Sequence, residues 1–187
     1  MVTVLKSSNA KNQTSNYEII ISHIAKFPGL RFYQLRQETG FANGTLQHHI
    51  NSLIKSKKID AHYDNAVPRY FLHNVDQSHK IIIQRLSQNT TSKIIKLLLK
   101  KECQTFSQLV KYTRKSPGTV SLYKNKMVED KIIVGTTDTC KSCKNSGMKI
   151  KYRLVDPEKV KALVMEYGKS SMSKSSDNLA DVFLSIK

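Results

Sequence analysis

The chain has 187 residues and is strongly basic, with 31 Lys and Arg against 14 Asp and Glu, a formal net charge of +17, and 39% hydrophobic residues. Such a surplus concentrates polyanions around a protein and speeds their encounter with it; nucleic acid is the commonest such partner and an anionic membrane surface the competitor. No apolar run reaches the ~18 residues of a spanning helix, so no membrane partner is expected, and three cysteines are too few for a secreted disulfide framework, which points to a cytoplasmic protein.

The surplus is spread along the chain. Residues 1–75 carry nine basic and four acidic side chains, and residues 76–187 carry 22 and 10. Residues 1–16 lack the apolar centre of a signal peptide and read as a polar arm. From Tyr17 to Phe27, apolar residues at 20, 21 and 24 predict a helix, which Pro28-Gly29 stops. A second helix is expected from Phe32 to Thr39, ended by Gly40. A third runs from about Asn43 to Lys57, with Leu46, Ile50, Leu53 and Ile54 as its buried stripe. The β-prone runs Ile59–Tyr63 and Arg69–Leu72 around Asp64-Asn65 predict a hairpin. Residues 76–87 form an amphipathic helix that joins this unit to the next.

The next unit is the same one again. At an offset of 74, residues 17–59 and 91–133 share 12 identities in 43 positions, among them Ile20-Ile21 with Ile94-Ile95, Gln34-Leu35 with Gln108-Leu109 and Gly44-Thr45 with Gly118-Thr119. Its third helix has the clearer start, Ser116 as N-cap and Pro117 at the first helical position, with Val120, Tyr123, Met127 and Val128 as core stripe. Strands are expected at about 131–136 and 148–154, and a helix at 157–168 with Val160, Leu163, Val164 and Tyr167 on one side. Three helices followed by a hairpin, twice, is a mainly α fold with small β-hairpin wings: two tandem winged helix-turn-helix domains. The expected division is an arm at 1–16, domains at 17–75 and 90–155, a linker helix at 76–89, and C-terminal helices with a Ser/Lys-rich linker at 156–187.

Pro28-Gly29, Gln34-Leu35, Gly44-Thr45-Leu46 and Arg69-Tyr70-Phe71 together resemble the first half of archaeal transcriptional regulators with two winged-helix domains, within the broad MarR/ArsR-like superfamily. The resemblance covers residues 17–73 well and 91–154 more loosely. It implies site-specific promoter binding, although winged helices also serve as protein-interaction modules.

The third helix of such a fold presents its N-terminal side chains to base edges in the major groove. With the stripe inward, Gln47, His48, Asn51 and Lys55 face out. Gln and Asn suit adenine, His reaches guanine or phosphate, and Lys55 suits the backbone. Asn43 and small Gly44 let the helix start approach the duplex, and Thr45 bonds a phosphate there. Arg31 and Arg36 flank the second helix as backbone clamps, and Arg69 on the wing strand meets phosphate or the minor groove. His49 is expected to be packed. In the second copy the candidates are Ser116, Thr119, Ser121, Lys124, Asn125 and Lys126. There Leu122 and Glu129 replace His48 and Lys55, so this domain is expected to add phosphate binding while the first reads sequence.

Cys140-Lys-Ser-Cys143 lies in the second wing. It supplies two thiolates where a closed structural zinc site needs four ligands. Three roles stay open: half a zinc site completed across a homodimer, with Cys103 a further donor; a redox-sensitive dithiol; or an ordered loop without special chemistry. The tail stripe Leu179, Val182, Phe183 and Ile186 needs a partner in its own core, a second subunit or another protein. No Walker-type glycine loop, nucleophile elbow or catalytic carboxylate pair occurs, so no enzyme is expected. The chain reads as a double-stranded DNA binder that regulates transcription; the alternative is an interaction module of transcription or replication machinery.

Overall fold

In the computed structural model of the protein, residues 15–64, 66–137 and 149–171 are described. The first unit runs α1 (Asn16–Lys26), β1 (Leu30–Arg31), α2 (Phe32–Thr39), α3 (Asn43–Lys55), β2 (Ile59–Asp64) and β3 (Val67–Leu72). After α4 (Gln77–Leu86) the second repeats it with α5 (Asn89–Lys100), β4 (Gln104–Thr105), α6 (Phe106–Thr113), α7 (Pro117–Glu129), β5 (Ile133–Thr136) and β6 (Lys151–Leu154), and α8 (Pro157–Ser171) follows. The 74-residue offset carries over to the elements, since β1, α2 and α3 start that far before β4, α6 and α7. It reaches the backbone as well. Gly40 (φ 70°) and Arg114 (φ 55°) end α2 and α6 in the left-handed conformation, and Lys57 (φ 53°) and Lys131 (φ 57°) adopt it after α3 and α7.

Helix α1 begins at Asn16, the last residue of what the sequence suggests is the polar arm. Ser15 caps it: its hydroxyl accepts the Tyr17 N–H at 3.3 Å and its own N–H donates to Glu18 Oε2 at 3.0 Å, a capping box. Each wing is part of a three-stranded antiparallel sheet, in order β1-β3-β2 and β4-β6-β5. The added strands β1 and β4 have two residues each, too few to show any periodicity in sequence.

Ile20, Ile24, Leu35, Leu46, Ile50, Leu53 and Ile59 make the first core. Ile94, Ile95, Leu98, Leu109, Val120, Met127 and Ile133 are prominent in the second, closed from the C-terminal side by Val160, Leu163 and Val164 of α8. Two expected core residues are corrected. Ile54 and Val128 are 36% and 41% exposed. At about 100° per residue, each sits roughly 80° round the helix from Leu46 or Val120, outside the arc shared by the buried positions. Tyr123 is half-buried.

Helix α4 is wedged between the two units and buried on nearly every side. Ile82 and Leu86 join the second core. Ile83 instead faces the first, where Gly29, Phe71 and Ile83 converge: a Cβ on Gly29 would lie 3.1 Å from Phe71 Cζ and 3.5 Å from Ile83 Cγ2. Gly29 is further fixed by its φ of +82°, a conformation that glycine adopts without penalty.

Polar contacts continue the seam. Asp60, His62 and Asp64 alternate along β2 and so share one face, the one α4 covers. Lys80 Nζ donates to Asp60 Oδ2 at 2.5 Å, with His73 Nδ1 2.8 Å from Asp60 Oδ1. Gln77 lies 3.3 Å from the His62 ring, and Gln88 donates to Asp64 Oδ2 at 2.6 Å. Arg85 bridges the units, donating from Nε to Asp130 at 2.5 Å and from a terminal nitrogen to Asp64 at 3.5 Å. Burial pushes the Asp60 carboxyl up, but bonds from His73 and Lys80 prevail and hold it below its ordinary range. Burial and then the Lys80 charge hold His62 below its ordinary value, favouring the neutral ring.

Candidate nucleic-acid interface

Helix α3 has one apolar stripe and one polar face. It starts at Asn43 after Ala42, whose backbone takes the N-cap conformation (φ −61°, ψ 150°) without a capping side chain. Asn43, Gly44, Thr45, Gln47, His48, Asn51 and Lys55 are all exposed. Gln47 Nε2 donates to Asn51 Oδ1 at 3.0 Å, one turn along. That bond fixes the two amides relative to each other and leaves the Gln47 oxygen and the Asn51 nitrogen pointing away from their shared bond. His49 is half-buried, its ring edge-on to Tyr17 at 4.7 Å and 6.2 Å from Phe41, a packed residue that props the face from behind.

Arg31 and Arg36 are exposed at the two ends of α2. The Arg31 N–H donates to Gln34 Oε1 at 3.0 Å, which caps α2 and leaves the guanidinium outside the cap. Arg69 departs from its expected role. It is 4% exposed and donates to the Gly29 carbonyl at 2.9 Å, clasping the α1–β1 turn to β3. The reason is strand alternation: Arg69 pairs with both Arg31 and His62, in the middle strand of the sheet, and its side chain falls on the face it shares with His62, the one α4 covers. In this arrangement the Arg69 guanidinium is bonded within the protein rather than presented at the surface. The tip of the first wing is engaged as well, since Asp64 is held by Arg85 and Gln88.

The second copy offers a different face. Ser116 caps α7, its hydroxyl accepting the Thr119 N–H at 3.2 Å and lying 2.9 Å from Thr119 Oγ1, so both hydroxyls are engaged with each other. Asn125 is exposed and Ser121 half-buried. Lys124 is half-buried with its ammonium 5.3 Å from the centre of the Tyr152 ring, a cation–π contact onto β6. Lys126 is half-buried and acts on the Asp64 carboxylate across the domain seam. Beside them Leu122 is 56% exposed. The α7 face is thus more apolar than that of α3, and two of its lysines are turned to the protein itself.

Cys140 and Cys143, the expected metal or redox pair, lie outside the described residues, as does the tail stripe Leu179–Ile186. Cys103 is fully buried and disulfide-bonded. Among the described residues no cluster of metal-ligating side chains occurs, and no helix is long and apolar enough to cross a membrane.

Two family models match the chain. One, described as an N-terminal HTH domain, covers residues 14–83, and the other, described as bacterial regulatory protein, arsR family, covers residues 89–130. A comparison with curated proteins found no match. The first match spans α1 through most of α4 and the second α5 through α7, so each falls on one of the two repeats. Domains of this kind bind DNA, act in transcription regulation and are typically non-enzymatic. The chain carries two helix-turn-helix domains in tandem, the second of them similar to the arsR family, and has the build of a two-domain winged helix-turn-helix regulator.

Proposed function

We propose that the protein binds specific double-stranded DNA sequences and regulates transcription from them, with the first domain reading sequence and the second adding affinity. In this reading α3 enters the major groove. Gln47 and Asn51 bond base edges, adenine being the best match to paired amides, and His48 reaches a neighbouring base or phosphate. Asn43, Gly44 and Thr45 lie at the helix N-terminus, where backbone N–H groups favour a phosphate. Lys55, Arg31 and Arg36 hold the flanking backbone. Ser121 and Asn125 give the second domain a smaller share. The observation that carries the reading is the exposed, bonded Gln47–Asn51 pair on a helix whose opposite stripe is fully buried.

The test is a salt titration of binding to random-sequence duplex, run beside a selection for preferred sites. Affinity that falls steeply with salt, together with a recovered motif, is the expected outcome. Asn51→Ala should relax the motif at one or two positions, at about 1–3 kcal/mol each, and Asn125→Ala should not. Equal relaxation by both would overturn the division of labour. A second reading, in which α7 meets a protein of the transcription or replication machinery, draws on exposed Leu122 and Val128. Negligible duplex binding at low salt would favour it. Assembly as a homodimer is part of neither reading's requirement, because two domains in one chain already supply two contact surfaces.

A further inference from the structure

The second domain carries a cluster of cations that has no counterpart in the first. Between α5 and α6 opens a cleft of about 640 Å³, lined by Lys93, Lys96, Lys101, Lys111 and Arg114 and, among the described residues, by no carboxylate. Buried Ser92 and Gln104 form part of its wall, and Tyr112, 38% exposed, stands beside them. Among the described residues none of the five cations is in an ion pair. Five like charges converging on one hollow repel one another, so the cleft is destabilising when empty and relieved by an anion.

The duplication supplies an internal control. At the 74-residue offset the five cations correspond to Ile19, Ser22, Phe27, Gln37 and Gly40 of the first domain, while Ser92 and Tyr112 correspond to Glu18 and Glu38. The same fold is therefore built without a single one of these charges, and with two carboxylates in their neighbourhood. Packing does not demand them. Nor does the DNA-reading surface, because α5, α6 and α7 pack pairwise, so the groove between α5 and α6 opens away from α7. No residue of α7, β5 or β6 lines it.

We infer that this cleft is a binding site for a small, multiply charged anion, a phosphorylated or polycarboxylate metabolite, distinct from the DNA surface. Its volume falls in the range of about 300–1,000 Å³ typical of small-molecule sites. Four flexible ammonium groups act as point charges on anionic oxygens, and Arg114 adds a planar fork for one of them.

The experiment is isothermal titration calorimetry of the full chain with inorganic pyrophosphate and with citrate at constant ionic strength. Two double variants take their residues from the first domain, Lys96→Ser with Lys111→Gln and Lys93→Ile with Arg114→Gly. Each is checked by thermal melting, and the second keeps the test open if the first does not fold. Glycine suits position 114 because Arg114 already has a positive φ. The expected result is a saturable one-to-one isotherm for at least one anion, weakened about tenfold or more by either variant; the tighter binder names phosphoryl or carboxylate as the ligand class. The proposal is overturned if neither anion saturates, or if the variants bind like the wild type. It is equally overturned if the variants lower the salt slope of duplex binding by about two, since each phosphate contact contributes ~0.9 and the cleft would then be part of the DNA track.

Discussion

Replacing Arg85 with Met should weaken the fold at neutral pH and lose much of that effect in mild acid. Arg85 is 8% exposed and holds two carboxylates, Asp130 at 2.5 Å and Asp64 at 3.5 Å, which are themselves only 19% and 14% exposed. Methionine keeps most of the apolar stem, so the change removes charge more than packing. Breaking a buried pair by deleting one partner costs about 3–5 kcal/mol, because the remaining charge is stranded. Partial exposure of both carboxylates lets water offset some of this, which puts the cost near the low end, about 3 kcal/mol. For a chain of this size that is a fall in Tm of roughly 6–12 °C.

The pH dependence follows from the carboxylates. In the wild type, burial pushes Asp64 up, but Arg85, Gln84, Lys126 and Gln88 outweigh it and hold the group below its ordinary value. Its contribution is therefore present above the unfolded carboxylate pKa and is lost as pH falls through the folded one. In the variant the largest opposing influence is gone, burial prevails, and protonation relieves the strain. The stability gap should accordingly narrow between about pH 7 and about pH 4. Urea denaturation followed by circular dichroism at both pH values measures it, and adding Asp64→Asn and Asp130→Asn to the variant should recover much of the loss. A neutral-pH gap under about 1 kcal/mol, or a gap that stays constant with pH, would refute the reasoning.

Other changes probe the remaining elements. Gly29→Ala introduces a Cβ 3.1 Å from the Phe71 ring at a φ of +82°, and should cost about 1–3 kcal/mol in denaturant unfolding. Ala42 and Ser116 hold nearly the same backbone angles, φ −61° and ψ 150° against −59° and 148°. Ser116→Ala should therefore cost about 1 kcal/mol and Ala42→Ser should add a similar amount, read as opposite shifts in Tm. Lys55→Gln should lower the salt slope of duplex binding by about 0.9 and weaken all sequences alike; a change in the selected motif instead would make Lys55 a base reader.

The repeat made most of the architecture legible in the sequence, because two copies of one apolar pattern specify helix boundaries better than either does alone. The exposed face of α3 was legible for the same reason: once Leu46, Ile50 and Leu53 point inward, Gln47, His48 and Asn51 have nowhere else to go. Arg69 was not. An arginine on a hairpin reads as exposed unless the neighbouring strand is known, and β1, which makes β3 the central strand, is two residues long. Lys111 and Arg114 lie just before α7 in sequence, whereas in the fold they line the cleft between α5 and α6. The role of α4 was also hidden. Its sequence reads as an amphipathic connector with one apolar side, while Lys80, Gln84 and Arg85 are buried too, and only the opposing Asp60, Asp64 and Asp130 make that burial tolerable.

Helix α4 also has a consequence for how a target site must be laid out. A tether of flexible residues would let the two domains touch a duplex at several separations. A helix clamped to both domains by apolar packing and by charge acts as a ruler instead. Phosphates held by the second domain would then lie at a fixed distance and angle from the bases read by the first, counted in steps of ~3.4 Å and about 34° per base pair. The footprint of the protein would be constant in length, and the sequence under its second half free to vary.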